Sequence, residues 1–398
     1  MREGGKLFRR LSFAALFMLA ASAADAQVNQ FSTDQRNLAC GSPASLNDGW
    51  PTATPESVSL DGSRLCGIAA RLAATNANMH AVLIARHGKL VFEQYFTGHD
   101  ELWGTARGPI EFDAATKHDM RSVSKSVTSL LVGIGIDREL IKSVDEPILK
   151  FFPDYAAQKT AGWDNITLRH LLTMSSGMQW DQNRPWADPQ NDERQLSIEA
   201  DPFRYVLSKP IAAPPDTVWN YNSGGTDLLG NVIERVSGKS LEAFAREALF
   251  APLGISDWEW MKYRNEHISP AAGLRLRPRD AAKIGQLVLN KGAWGGTQIV
   301  SAKWIEQSVT PRFQAIGFFG GLFYYGQQWW MGRTLSGEKD VKWIAAQGLG
   351  GQRIFIVPEL DLVIVTTSGL YGSPRQGNAP LDILANFVIP SIRDSNTR

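Results

Sequence analysis

Strand-forming sequence is gathered at the two ends of this chain and helix-forming sequence in its middle, and that segregation narrows the fold more than any other feature. Near the start, Ala81-Val82-Leu83-Ile84-Ala85 and Leu90-Val91-Phe92-Glu93-Gln94-Tyr95-Phe96 flank Arg86-His87-Gly88-Lys89, a hairpin signal with glycine in its turn. Leu65, Ile68, Ala69 and Leu72 recur at helical spacing just before it, with Asp61 near the start of that helix. From about 119 to 290 the pattern is helical, at 124–136, 167–174, 226–236, 240–249 and 278–289. Strand signals return at 323–331, 354–357 and 362–367, followed by a closing helix at 381–389. Two separated strand groups that must each bury a face predict an α/β fold, with one sheet assembled from both chain ends and a helical domain inserted between them. The expected division is a signal peptide at 1–26, an irregular arm at 27–58, an α/β sheet domain from 59–118 and 291–398, and a mainly helical domain at 119–290.

With 41 basic and 40 acidic residues the net charge is +1, so no overall field draws the chain to nucleic acid or to an anionic membrane. Lys6, Arg9 and Arg10 precede an apolar stretch at 11–24, and Ala24-Asp25-Ala26 supplies the small residues a signal peptidase reads. This pattern predicts a periplasmic or secreted protein with no stable membrane anchor after cleavage. The competing reading, an uncleaved anchor, is disfavoured because the stretch is short for a membrane span. Arg9-Arg10 leaves the choice between general and twin-arginine export open. Cys40 and Cys66 are the two cysteines, which in an oxidising compartment suggest one disulfide between the arm and the first helix; two unpaired small hydrophobes are the alternative.

No Gly-x-Ser-x-Gly elbow, phosphate-binding loop or His-Glu-x-x-His cluster occurs, and Gly133-Ile134-Gly135 lacks the third glycine of a dinucleotide fingerprint. The six histidines are scattered without ligand spacing, and His170 reads as structural, so neither metal nor cofactor is expected. Two Ser-x-x-Lys matches remain. Ser336-Gly337-Glu338-Lys339 has the composition of a solvated turn, where lysine keeps its hydration. Ser122-Val123-Ser124-Lys125 opens a helix that is apolar on most sides, and residues three apart on a helix share a face. A lysine forced into a desolvated site has its pKa lowered and can take part in activating a serine hydroxyl, while the helix start offers N–H groups to an oxyanion. On this segment alone, a helix cap beside an outward-snorkelling lysine fits equally well.

Further segments carry a resemblance. RSVSKSVTSLLVGIGID around Ser122 and Lys125 resembles the first motif of the penicillin-recognising serine hydrolases, above all the class C β-lactamase branch with its 6-aminohexanoate-dimer hydrolases and family VIII carboxylesterases. In the same order, residues 165–178 resemble the segment after that motif. Trp219-Asn220-Tyr221-Asn222-Ser223-Gly224-Gly225 is similar to the Tyr-x-Asn region, and 272–280 and Ala346-Gln347-Gly348-Leu349-Gly350-Gly351-Gln352 to later landmarks. The resemblance covers about residues 60 to 390. It implies a β-lactamase/transpeptidase-like fold with an antiparallel sheet. It also implies that Ser122 is the nucleophile, that Lys125 and Tyr221 share its proton, and that the backbone N–H groups of Ser122 and Leu349 form the oxyanion hole.

Two departures bear on substrate. Ser223 stands where the family has Asn, and Ala346 where it has a Lys or His that would meet a β-lactam's carboxylate. Arg353 is the nearby cation that would compensate, if it points the right way. The expectation is an exported hydrolase of small ester or amide substrates, 6-aminohexanoate-dimer hydrolase-like or carboxylesterase-like, acting through an acyl-enzyme. The alternatives are β-lactamase or DD-peptidase activity, or a penicillin-type sensor that binds without turnover. Ser223, Gln347 and Gly348 are the expected substrate contacts, with pocket walls from Trp180 and Trp186 in the long segment 177–200 and from Tyr324, Tyr325, Trp329 and Trp330. That segment reads as a lid, a binding loop or a disordered stretch. Oligomeric state is left open.

Overall fold

The computed structural model describes residues 40, 43–315 and 323–393. The expected signal peptide and most of the arm's first half lie outside them. Helix α1 (Gly62–Ala74), capped by Asp61, leads into β1 (Met79–Arg86) and β2 (Lys89–Tyr95). A second hairpin, β3 (Thr97–Leu102) and β4 (Thr105–Glu111), and the short β5 (His118–Asp119) precede α2 (Val123–Asp137). Then come α3 (Leu168–Leu172), α4 (Asp192–Ile198), α5 (Pro202–Leu207), α6 (Gly224–Ser237) and α7 (Leu241–Ala245). Strand β7 (Leu274–Leu276) pairs with β5 on one side and β6 (Trp258–Trp260) on the other, ahead of α8 (Pro278–Leu289). The hairpin β8 (Ala293–Trp294) and β9 (Thr297–Gln298) and helix α9 (Ala302–Ser308) lead to β10 (Phe313–Ala315), β11 (Phe323–Tyr325), β12 (Trp330–Ser336), β13 (Lys339–Gly348), β14 (Gln352–Val357) and β15 (Leu362–Ser368). Helix α10 (Arg375–Ile383) follows the last strand.

The large sheet runs β10-β11-β12-β13-β14-β15-β1-β2, antiparallel throughout, so the first strands dock against the last. Both faces are covered. Along β1, Ala81, Leu83 and Ala85 join a core that includes Val127 and Leu131 of α2 and Ile284 and Leu287 of α8. The alternating Val82 and Ile84 join a second core with Leu65 and Ile68 of α1 and Ile383, Leu384 and Val388 at the C-terminal end. This two-sided burial explains why β1, β14 and β15 read as continuous apolar runs with every residue buried. The Cys40–Cys66 disulfide forms, with Cα atoms 5.5 Å apart, and ties residue 40 to α1. Among the described residues, no helix is long and apolar enough to cross a membrane.

Several local expectations need correction. The apolar run 323–331 is two strands, because residues 326–329 turn inward: Gln328 adopts a φ of +67° and donates to the carbonyls of Leu171 and Leu172, and Trp329 is fully buried. The segment 177–200 is not loop throughout, since α4 forms within it, capped by Asn191, whose Oδ1 accepts from Arg194 N at 2.9 Å. The histidines are not all scattered in space: His80 of β1 and His118 of β5 face each other beside Asp100 of β3. Spacing along the chain could not show this, because each residue sits on a different strand.

Candidate active site

Helix α2 is enclosed on all sides, and residues 123–135 are all buried. Gly133 permits this: a Cβ there would lie 2.3 Å from the ring of Trp304. Ser122 sits half-buried at the N-cap position without making a side-chain cap. Its neighbour Arg121 has a φ of +50°, a conformation that costs roughly 1–3 kcal/mol in a non-glycine residue and persists only where surroundings enforce it. Here Glu101 holds the guanidinium at 2.7 Å, and the rings of Trp103 and Tyr371 flank it. Ser124 is fully buried; it donates to Arg121 O at 2.6 Å and accepts from Leu274 N at 3.0 Å, pinning the turn that presents Ser122.

Lys125 is 1% exposed, so it does not snorkel outward. Its Nζ donates to Ser122 Oγ at 3.3 Å, to Ser223 Oγ at 3.1 Å and to the carbonyl of Ala271 at 3.0 Å, and it lies 4.9 Å from the centre of the Tyr221 ring. Tyr221 is boxed by Trp219, Tyr325 and Trp330. The chain just before it is docked on Met174, whose carbonyl accepts from Asn220 N at 2.8 Å. Asn222 Oδ1 accepts from Gly225 N at 2.8 Å at the start of α6. Ser122, Lys125, Tyr221 and Ser223 therefore converge.

Two groups that sequence reasoning passed over close the site. Ser223 Oγ donates to Glu193 Oε1 at 2.8 Å, and Ser223 N donates to Gln182 Oε1 at 2.8 Å. Both partners come from 177–200, and no periodic signal marks a polar residue in such a segment. One turn into α6, burial pushes the Asp227 carboxyl well above its usual range, with Tyr263 O–H donating at 3.4 Å and the Lys125 charge opposing the shift.

On β13, Ala346, Gln347 and Gly348 are buried, and a Cβ on Gly348 would lie 2.2 Å from Met120 O. That strand end thus passes against the run-in to Ser122. The Leu349 side chain is 47% exposed. Arg353 is fully buried and donates to the carbonyls of Gly348 and Gln352, both at 2.8 Å, and of Gln376 at 3.1 Å; burial lowers its pKa. Its guanidinium braces the β13–β14 turn and does not stand in for a cation at Ala346.

The expected aromatic walls divide. Tyr325 and Trp329 are fully buried, so they pack behind the site and do not line it; Tyr325 backs Tyr221. Trp180 is also buried, wedged against Gly224 with its Nε1 donating to Gln182 at 2.9 Å, whereas Trp186 is 58% exposed. Trp330 is buried against Tyr221, and Tyr324 is at the surface. Ser336 and Lys339 pair across the β12–β13 turn, distant in role from any chemistry, with Ser336 donating to Ala385 O at 2.6 Å. His170 caps α3, its Nδ1 accepting from Thr167 N at 3.1 Å.

Comparison with known proteins identifies the family and the fold. The family described as Beta-lactamase matches residues 68–387. The 6-aminohexanoate-dimer hydrolase of Paenarthrobacter ureafaciens is 25% identical over 341 residues, covering 79% of each chain. Esterase EstB of Burkholderia gladioli is 28% identical over 184 residues, 44% of this chain and 45% of that protein. Among solved structures, a family VIII carboxylesterase superposes with a TM-score of 0.63 at 17% identity, covering 81% of this chain and 97% of its own.

Proposed function

On the premise, shown by the match over residues 68–387, that the chain belongs to the Beta-lactamase family, we propose that it cleaves ester or amide bonds of small molecules through an acyl-enzyme formed on Ser122. It is a serine hydrolase of that family, related to 6-aminohexanoate-dimer hydrolase and to carboxylesterases. The observation that carries the proposal is the buried Lys125 side chain, its Nζ 3.3 Å from Ser122 Oγ and 4.9 Å from the centre of the Tyr221 ring. Ser122 Oγ attacks the carbonyl carbon while Lys125 and Tyr221 together accept its proton. The N–H groups of Ser122 and Leu349 hold the oxyanion, and the proton passes to the departing alcohol or amine. Tyr221 then draws a proton from water as it attacks the acyl carbon, and Ser122 is released.

Esters and linear amides are favoured over β-lactams. Ala346 offers no charge to a carboxylate, Arg353 is committed to backbone carbonyls, and Ser223 is hydrogen-bonded to Glu193, whose charge would repel an anionic group. Export is supported by the signal-like N-terminus and by the Cys40–Cys66 disulfide, which suits an oxidising compartment.

Labelling with a fluorophosphonate probe, peptide mapping, and turnover of short acyl esters, linear amides and a chromogenic cephalosporin test the proposal. The label is expected on Ser122, and Ser122→Ala, Lys125→Ala and Tyr221→Phe are each expected to lower turnover by about 10³-fold or more. Wild-type hydrolysis by Ser122→Ala and Tyr221→Phe would overturn the mechanism. Efficient cephalosporin turnover would overturn the substrate preference alone.

A further inference from the structure

We propose that His80, Asp100 and His118 form a binding site for one divalent transition-metal ion of the zinc type, separate from the hydrolytic machinery. The three side chains come from β1, β3 and β5 and are all buried. His80 Nδ1 lies 2.8 Å from His118 Nε2, and His118 Nε2 lies 3.6 Å from Asp100 Oδ1. One ligand atom from each residue falls within 4.8 Å of the others.

Tracking the hydrogens shows why this cluster calls for a cation. His80 Nε2 faces the carbonyl of His99 at 3.1 Å and Asn78 Oδ1 at 3.3 Å. Asn78 is oriented by its own bonds: its Nδ2 donates to the carbonyls of His99 and Gly369, and its Oδ1 accepts from His99 N. Both neighbours of His80 Nε2 are therefore acceptors, and that nitrogen carries the hydrogen. By the same reasoning His118 Nδ1, 3.0 Å from the carbonyl of Asp119, carries the hydrogen of its ring. In neutral rings, the two nitrogens that face each other then present only lone pairs. Asp100 Oδ1 adds a third, on a side chain 4% exposed, and it has no hydrogen-bond donor.

Three electron-pair donors thus converge with no hydrogen among them. A single extra proton would satisfy one facing pair of these atoms and leave the third lone pair unmet. A divalent ion satisfies all three at once. Zinc–nitrogen bonds of about 2.0–2.1 Å place neighbouring ligand atoms roughly 3 Å apart, a value between the 2.8 Å and 3.6 Å separations of His118 Nε2 from His80 Nδ1 and Asp100 Oδ1. Two imidazoles and one carboxylate are a ligand set that first-row divalent metals accept. The outward N–H groups, each on a backbone carbonyl, are the arrangement that orients metal-bound imidazoles. Packing fixes the rings further. Phe112 stacks on His80 with centroids 4.0 Å apart, and a Cβ on Gly98 would meet the His80 ring at 2.6 Å. A bound ion would staple the β3–β4 hairpin and the run-in to Ser122 onto strand β1 of the large sheet.

The test uses the untagged, full-length protein after chelator treatment and dialysis. One equivalent of zinc per chain by calorimetry and elemental analysis is expected, with a rise in Tm of about 3 °C or more in excess zinc. Cobalt(II) should give visible absorption bands from the same site. Asp100→Asn and His118→Asn should each abolish stoichiometric binding and the Tm rise while fluorophosphonate labelling of Ser122 reports that the fold persists. If either variant fails to label, His80→Gln serves the same purpose. Absence of zinc uptake and of any Tm change in the stripped wild type would overturn the proposal, as would undiminished binding in the variants.

Discussion

Glu193 Oε1 accepts a 2.8 Å hydrogen bond from Ser223 Oγ, and that same hydroxyl receives the Nζ of Lys125 at 3.1 Å. A carboxylate is thereby linked through one serine to the lysine nitrogen beside the nucleophile. Glu193→Gln keeps an acceptor but removes the charge, and it is expected to lower kcat/KM for a short acyl ester about tenfold, roughly 1.4 kcal/mol. Ser223→Ala, which breaks the relay, should cost at least as much. Steady-state kinetics decide this; unchanged kcat/KM in both variants would remove Glu193 from the active-site account.

Gly348 lies so close to the chain before Ser122 that a Cβ would stand 2.2 Å from Met120 O, a backbone atom that cannot yield as a flexible side chain would. Gly348→Ala should destabilise the protein by about 1–3 kcal/mol and also depress kcat, because the strand end bearing Leu349 is pushed off the nucleophile. Thermal unfolding and kcat measured together check this. A loss of stability with normal kcat would argue against Leu349 N–H as an oxyanion donor.

The His170 imidazole accepts from Thr167 N through Nδ1, which needs an unprotonated nitrogen. Burial lowers its pKa below the ordinary 6.5, and Asp216, 3.4 Å away, opposes the shift only in part. The unfolded chain therefore binds this proton more readily than the folded one. The contribution to stability is complete above pH 6.5 and is lost as the pH falls toward the lower folded-state value. His170→Gln offers an acceptor that does not titrate, and its Tm should fall less steeply over that acidic range. Parallel Tm–pH curves for the two proteins would refute this.

The Cys40–Cys66 bridge closes a 26-residue separation. In the chain-entropy model a loop of that size contributes about 3–4 kcal/mol to stability. Reduction, or Cys40→Ser with Cys66→Ser, should lower the denaturant midpoint accordingly without affecting labelling of Ser122, since the bridge holds residue 40 on α1, on the opposite side of the sheet from α2.

What the sequence disclosed, it disclosed through periodicity and ordered motifs. The two-ended sheet was legible because β1, β14 and β15 are apolar on both faces, and α8 matched from end to end because proline opens it at Pro278. Helix α2 announced itself by being apolar on most sides. Glu193 and Gln182 were not legible, since polar residues in a segment without period carry no sign of where they point. Tyr325 and Trp329 looked like pocket walls, yet Tyr325 joins the second core behind the sheet and Trp329 is carried into the first by the inward turn at 326–329. His80 and His118 are 38 residues apart and meet only because β1 and β5 are brought together by the tertiary fold.

The pairing of β1 with β15 sets a timetable. Arg86 is registered with Leu362 and Ile84 with Ile364, partners roughly 280 residues apart. A ribosome adding about 5–20 residues per second completes that interval in roughly 15–60 s, during which the hairpin β1–β2 has no partner on its open edge. Such a chain has little to gain from early collapse and an exposed apolar edge to protect, a situation in which holding chaperones, and transport before folding, have ample time to act.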